Sequence, residues 1–364
     1  MLNIEILGGV GEYGRNCFYI EKDGRAILLD CGVMNNSEKT MPNLTPSHVA
    51  NLDAVFISHS HIDHVGALPL LEHWGYTGQL IMSEITAKQL KQTFKNIKTF
   101  PSASIGNWLS VNDYLSYQWG YSGHLVGSVW YSIRFLEEVI FFSGDYVVDS
   151  YLLKANLPRE NSGKYDLAFI DSGHIEKHIK NKEVLKQLAY YIHANDSRPI
   201  IFPSSFSGKT ADIALYLFEH TTRRVCIDNE LFSFFEDYYD VPENVVSTML
   251  LPSFRSECLK EVMTVGGNAI YFVSERDEET ITQLLTDLQS AIVIFTGYFN
   301  KGSYIQLLAP NQIKHFFYKT HPDYQDLIAL SKHINAHKTI YFHSQLTNKE
   351  TTLLKIIGNE DENI

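Results

Sequence analysis

Apolar residues in this chain fall into short runs separated by helical repeats. Asn3–Leu7, Leu52–Ser58, Gln79–Met82, Val129–Ile133, Val139–Phe142 and Leu167–Ile170 each read as a strand, apolar and largely β-branched or aromatic. Helical spacing opens at Gly66–Leu71, carrying a helix over Ala67–Trp74, and recurs over Glu84–Phe94 and Thr210–Glu219. Further along, Pro199–Phe202, Ala269–Val273, Ile281–Leu288 and Ala291–Phe295 keep the rhythm of a parallel sheet, and Thr339–Phe342 reads as a strand ending at His343. The class is α/β. Near the start, Gly9, Gly11 and Gly14 fit the dinucleotide pattern G-x-G-x-x-G, which requires a helix straight after it. Here Asn16–Ile20 and Ala26–Leu29 instead form two strands about the turn Lys22-Asp23-Gly24, so a hairpin is expected.

At 364 residues and 45% hydrophobic content the chain can fill two modest domains or one large one. Its net charge of −12 argues against nucleic-acid binding through general positive potential and leaves room for a local groove. Cys17, Cys31, Cys226 and Cys258 form no Cys-x-x-Cys pair, so neither a zinc ribbon nor a disulfide framework is expected. Met1-Leu2-Asn3-Ile4-Glu5 has no basic leader pattern, and no stretch of eighteen apolar residues occurs. A soluble cytoplasmic protein, without a membrane partner, is the expectation.

The chemistry concentrates in His59-Ser60-His61-Ile62-Asp63-His64, at a strand-to-helix turn. In an extended loop, residues two apart point the same way, so His59 and His61 can converge on one cation while Asp63 and His64 turn toward a second. So many ionisable groups at one turn would be costly without a cation to compensate them. Asp30, Asp145 and Asp171 each close an apolar strand, a position that also suits a turn-forming aspartate. His124 lies between Gly123 and Gly127, which let backbone pass close to an ion. Ser207-Gly208-Lys209-Thr210 mimics the end of a P-loop, but Pro203 stands where its first glycine belongs, so nucleotide hydrolysis is not expected there. The pairs His174/His178 and His333/His337, four apart, read as solvated helix faces, and the aromatic run Phe232–Tyr239 reads as packing.

The histidine string resembles the His-x-His-x-Asp-His signature of the metallo-β-lactamase fold. The Gly-Arg-Asn-Cys opening, Gly123-His124 and Ser143-Gly144-Asp145 match further segments of its nuclease branch. Asp171, then Lys319-Thr320-His321-Pro322-Asp323-Tyr324, then Thr339–Ser344 resemble in order the three extra motifs of the β-CASP nucleases, the family of ribonuclease J, the polyadenylation-cleavage endonuclease and Artemis. The resemblance covers nearly the whole chain and implies a short form without the C-terminal domain of ribonuclease J. It implies a metallo-β-lactamase αββα sandwich (1–178 and 313–364) with an inserted β-CASP α/β domain (179–312). By the same resemblance, His59, His61 and His124 hold one ion, Asp63, His64 and His343 the other, and Asp145 bridges them. Asp30 orients the histidine loop, His321 donates a proton or binds phosphate, and Asp171 orients His321 or a ligand. Ser207, Gly208, Lys209 and Thr210 offer a phosphate-binding helix start, with Lys209 where the family usually has Arg. Asp171 is followed by Ser-Gly-His rather than the frequent Ser-Thr-Tyr-Gly.

The implied cofactors are two divalent ions, zinc first and manganese second, which would together activate one water. The implied reaction is phosphodiester hydrolysis, with single-stranded RNA as the first substrate and DNA as the second, and the family allows a homodimer. Two other classes use the same fold: a hydrolase of a small ester, lactone or nucleotide, and a binding subunit without chemistry.

Overall fold

The computed structural model describes residues 2–34, 40–90, 92–158, 165–241, 246, 251–258, 267–297 and 302–360. The chain divides into two compact units. The first comprises 1–148, 155–178 and 321–364, and the second 149–154 and 179–320.

The first unit holds two six-stranded sheets. One runs in chain order, β1 (Asn3–Gly8), β2 (Cys17–Lys22), β3 (Arg25–Leu29), β4 (Leu52–Phe56), β5 (Gln79–Ser83) and β6 (Ile97–Phe100). β1, β2 and β3 pair antiparallel, so the glycine segment does lead into a hairpin, and β3 to β6 pair parallel. The second sheet contains β7 (Leu109–Asn112), β8 (Leu115–Tyr121), β9 (Val129–Phe135), β10 (Glu138–Phe142) and β11 (Tyr165–Asp171).

The second unit is built on a wholly parallel sheet of β12 (Ile200–Ser204), β13 (Val225–Ile227), β14 (Ile270–Ser274), β15 (Ile292–Phe295) and β16 (Ile313–His315), in the spatial order β13-β14-β12-β15-β16. The chain then returns to the first unit, where β17 (Ala336–Phe342) adds in parallel beside β11.

Strand alternation explains the sandwich. Odd positions of β2, Cys17 and Tyr19, join Leu68 and Leu71 in an outer helical layer, whereas Phe18 on the other face meets Phe142, Phe169 and Phe342 of the second sheet at ring separations of 4.8–6.0 Å. Phe56 meets Tyr117 and Tyr131 in the same layer. On the far face of the second sheet, Phe141, Ala168 and Ile170 pack under Leu327 and Leu330 of the helix Tyr324–Ile334 and under Leu354. Helices therefore lie outside two facing sheets.

Two segments fall in the second unit that the resemblance puts in the first. Residues 313–320 stay there because β16 pairs with β15, so the return begins at His321. Asp149–Lys154 is held there by the buried Asp212 carboxylate, which accepts from Ser150 Oγ, the Tyr151 and Leu152 amides and Tyr318 Oη at 2.6–3.0 Å. The helix expected over Glu84–Phe94 ends at Gln89, where Leu90 turns extended. The helix Gly208–His220 includes the expected Thr210–Glu219. No helix among the described residues is long and apolar enough to cross a membrane.

Candidate metal centre

Parallel register brings the acids and histidines together. Leu29 pairs with Phe56, so Asp30 and the loop after β4 leave the sheet side by side. In the second sheet Phe142 pairs with Phe169, and Asp171 with Phe342. Asp145, Asp171 and His343 therefore emerge from the same end of three neighbouring strands. A sheet's pairing has replaced proximity in sequence.

Two donor groups form there. His59, His61, His124 and Asp145 place one ligand atom each within 4.8 Å of one another, and so do Asp63, His64 and His343. Asp145 joins the groups: Oδ2 lies 3.7 Å from His59 Nε2 and 3.5 Å from His124 Nε2, while Oδ1 lies 3.2 Å from His64 Nε2. Asp63 Oδ2 faces His343 Nε2 at 3.1 Å and His64 Nε2 at 3.5 Å. Among the described residues His59 Nε2 is buried without a hydrogen-bond partner. An orphan of this kind costs about 1–3 kcal/mol unless something fills the gap. Imidazole and carboxylate donors turned inward on one another fit divalent cations, and these seven residues could hold two.

The charges respond accordingly. Burial, reinforced by the neighbouring His64 and His61, holds His59 well below the usual imidazole range, keeping its lone pair available. Burial also opposes the charge on His64, but Asp145, Asp63 and Asp30 outweigh it and push that imidazole well above its usual range. His343, likewise buried, is pushed up to about 9 by Asp145 and Asp63. Desolvation works against the Asp63 and Asp145 carboxylates, and the His64 charge beside them overcomes it and holds both well below normal.

Around these donors lies a second set of contacts. Asp30 Oδ1 accepts from the Ser58 amide and Oδ2 from Ser58 Oγ, each at 2.7 Å, and Oδ2 also meets His64 Nδ1 at 2.6 Å. Asp171 Oδ2 accepts from the Tyr146 amide at 3.0 Å and meets His321 Nδ1 at 2.9 Å, and its Oδ1 accepts from the Gly173 amide at 2.9 Å. Asp145, Asp171, His321 and His343 also offer converging donors, but three contacts already occupy the Asp171 carboxylate.

Several participants went unread in the sequence. Asn16 Nδ2 lies 3.2 Å from the Asp63 carbonyl and 3.1 Å from His64 Nε2. The glycine loop that mimicked a dinucleotide site serves this centre: the His343 amide donates to the Gly9 carbonyl at 2.8 Å, and Val10 bridges to Ser344. His343 itself sits at φ +62, a left-handed conformation that non-glycine residues seldom adopt and that this bracing sustains. Cys17 and Cys31, distant in sequence, become neighbours, both buried thiols. The expectation for His174 is corrected: it is not on a helix and is only 4% exposed, because its segment bridges to Asp323 and its ring meets His321. His178, in contrast, is exposed.

The Ser207–Thr210 segment lies in the second unit. Ser207 Oγ caps the helix by accepting from the Thr210 amide, and Thr210 Oγ1 donates to the Ser205 carbonyl at 2.8 Å, so both hydroxyls are engaged within the turn. Lys209 lines a cavity of about 30 Å³ with Ser205, Glu275 and Tyr304, and burial lowers its amine pKa.

Residues 10–149 match the metallo-beta-lactamase superfamily. The chain is 41% identical over 96 residues to a probable RNase, MJ4, of Methanocaldococcus jannaschii, covering 26% of this chain and 22% of that protein. It is 23% identical over 255 residues to endoribonuclease YSH1 of Kluyveromyces lactis, covering 59% and 32%. To Integrator complex subunit 11 of Danio rerio it is 26% identical over 181 residues, covering 40% and 29%. It thus spans about a fifth to a third of the length of these relatives. A protein of unknown function from Enterococcus faecalis shares the fold, with a TM-score of 0.65 at 12% identity and 95% coverage of both chains.

A metallo-β-lactamase fold with a second α/β unit inserted into it is the class that sandwich and sequence together define. The partial matches outside the fold itself are to proteins named as a probable RNase, an endoribonuclease and an Integrator complex subunit.

Proposed function

We propose that the protein is a metal-dependent phosphodiester hydrolase acting on RNA, with DNA as the second substrate. The observation that carries this reading is the shared Asp145, whose two oxygens face two separate sets of donors. His59, His61 and His124 would hold one ion, Asp63, His64 and His343 the other, and Asp145 both. Zinc suits these donors first and manganese second. Two such ions, when bound, supply an activated water nucleophile and neutralise charge developing on the phosphate.

The chain's own residues do the rest. Asp171 holds His321 Nδ1, which leaves Nε2 to face the substrate. As the P–O bond to the leaving ribose oxygen breaks, that oxygen keeps the electron pair and takes the proton from His321 Nε2. Asp171 acts through His321, since its oxygens are already committed. Lys209, a cation at a helix start, is offered as a phosphate contact. Four free cysteines favour a reducing compartment, which supports the cytoplasm.

The reading is tested by incubating single-stranded RNA, labelled distinguishably at each end, with metal-loaded protein and with Asp63→Ala. Cleavage that disappears in the variant is expected, and release of single nucleotides or internal fragments sorts exonuclease from endonuclease. Intact RNA after incubation with protein verified to carry two ions would overturn the generic ribonuclease reading. Hydrolysis of a small ester or lactone alone would point to the second class of enzyme.

A further inference from the structure

The loop Asp171-Ser172-Gly173-His174 closes around the His321 ring. Asp171 takes its Nδ1 at 2.9 Å, and Gly173 comes so close that a β-carbon there would stand 2.7 Å from His321 Cγ. His174 follows with its ring at 89° to that of His321 and 4.9 Å between centroids. His343 lies against the same ring at 4.4 Å and 31°. The backbone at His174 is tied by a bridge to Asp323, two residues beyond His321, so wall and ring are fastened to each other.

A single hydrogen bond at Nδ1 fixes one atom and leaves an imidazole free to tilt about it. Rings packed against it in two orientations remove that freedom, and edge-to-face aromatic geometry is itself favourable. We propose that His174 is a positioning residue for His321, holding the ring at the tilt that aims Nε2 at the leaving oxygen. This rests on the hydrolase reading above. His174 contributes its ring, not a proton, and proton delivery belongs to His321.

The test uses the full chain loaded with two ions, as wild type, His174→Ala, His174→Phe, His321→Ala and the double alanine variant. Each is assayed on RNA, whose leaving oxygen needs a proton, and on bis(p-nitrophenyl) phosphate, whose leaving group does not. In His174→Ala, kcat on RNA should fall about tenfold to a hundredfold with KM unchanged, and the loss on the nitrophenyl ester should be at least about tenfold smaller. His174→Phe should recover most of the loss, and the double variant should be no slower than His321→Ala alone.

Equal losses on both substrates at full metal content, a multiplicative double variant, or a phenylalanine variant as slow as alanine would each overturn the proposal. A wild type that hydrolyses aryl diesters but not RNA would overturn the ribonuclease reading alone. The His174 comparison is then made on an unsubstituted phenyl diester, which also needs leaving-group protonation. A doubly loaded wild type inert toward every diester would overturn both.

Discussion

Asp30 and His64 meet at 2.6 Å between Oδ2 and Nδ1, both side chains wholly buried, although 34 residues separate them. The contact decides which nitrogen of His64 is spent. With Nδ1 engaged by the carboxylate, Nε2 is left to face Asp145 and Asp63. Outer carboxylates of this kind fix ring orientation and raise a ligand's basicity.

Asp30→Asn should therefore lower metal affinity about 10- to 100-fold with little change of fold. Titration calorimetry with zinc and with manganese measures it. Unchanged affinity would remove Asp30 from the site.

Gly32 lies where the glycine-rich hairpin passes the histidine loop. A β-carbon there would stand 1.6 Å from the Asp63 carbonyl oxygen, a backbone atom that cannot swing aside. Gly32→Ala should cost about 3 kcal/mol or more and reduce metal content. Gly24, at φ +73 with no atom within 4 Å of where its β-carbon would stand, supplies the control. Gly24→Ala should cost only about 1–2 kcal/mol, from its left-handed backbone. Thermal unfolding with elemental analysis distinguishes the two.

Removing bound metal should destabilise the first unit, since it returns buried orphans such as His59 Nε2 to an unpartnered state. At free metal a thousandfold above its Kd the expected loss is about 4 kcal/mol. Chelator-treated and re-supplemented samples compared in urea would show it. Coincident unfolding curves would argue that these donors hold no ion.

Asp212 sets a pH dependence in the second unit. Burial pushes its carboxyl from an ordinary 3.8 up to about 6, against the pull of its four donors. Folding thus favours the protonated acid, so this contribution is fully present below about pH 3.8 and is lost as pH rises through about 6, amounting to about 3 kcal/mol. Asp212→Asn should flatten stability against pH between 4 and 6 by about one proton. Denaturant midpoints across that window are the check, and a slope that survives substitution places the titration elsewhere.

What the chain's local pattern determined by itself is the short-range part of this protein. A strand of Leu52–Ser58 running into three histidines and an aspartate needs only period-two geometry to suggest ligands, and the hairpin after Gly14 needs only two apolar runs and a turn. The tertiary structure decided everything that depends on which strands become neighbours. Asp63 meets His343 across 280 residues because β17 slots beside β11, and local hydrophobic periodicity carries no record of that pairing. His174 shows the limit most plainly: an i,i+4 histidine pair suggests a solvated helix face, whereas a bridge to Asp323 buries one member against His321 and leaves the other exposed. Sequence spacing reports on neighbours a turn away, and a cluster of candidate metal ligands at the ends of parallel strands is assembled by long-range register.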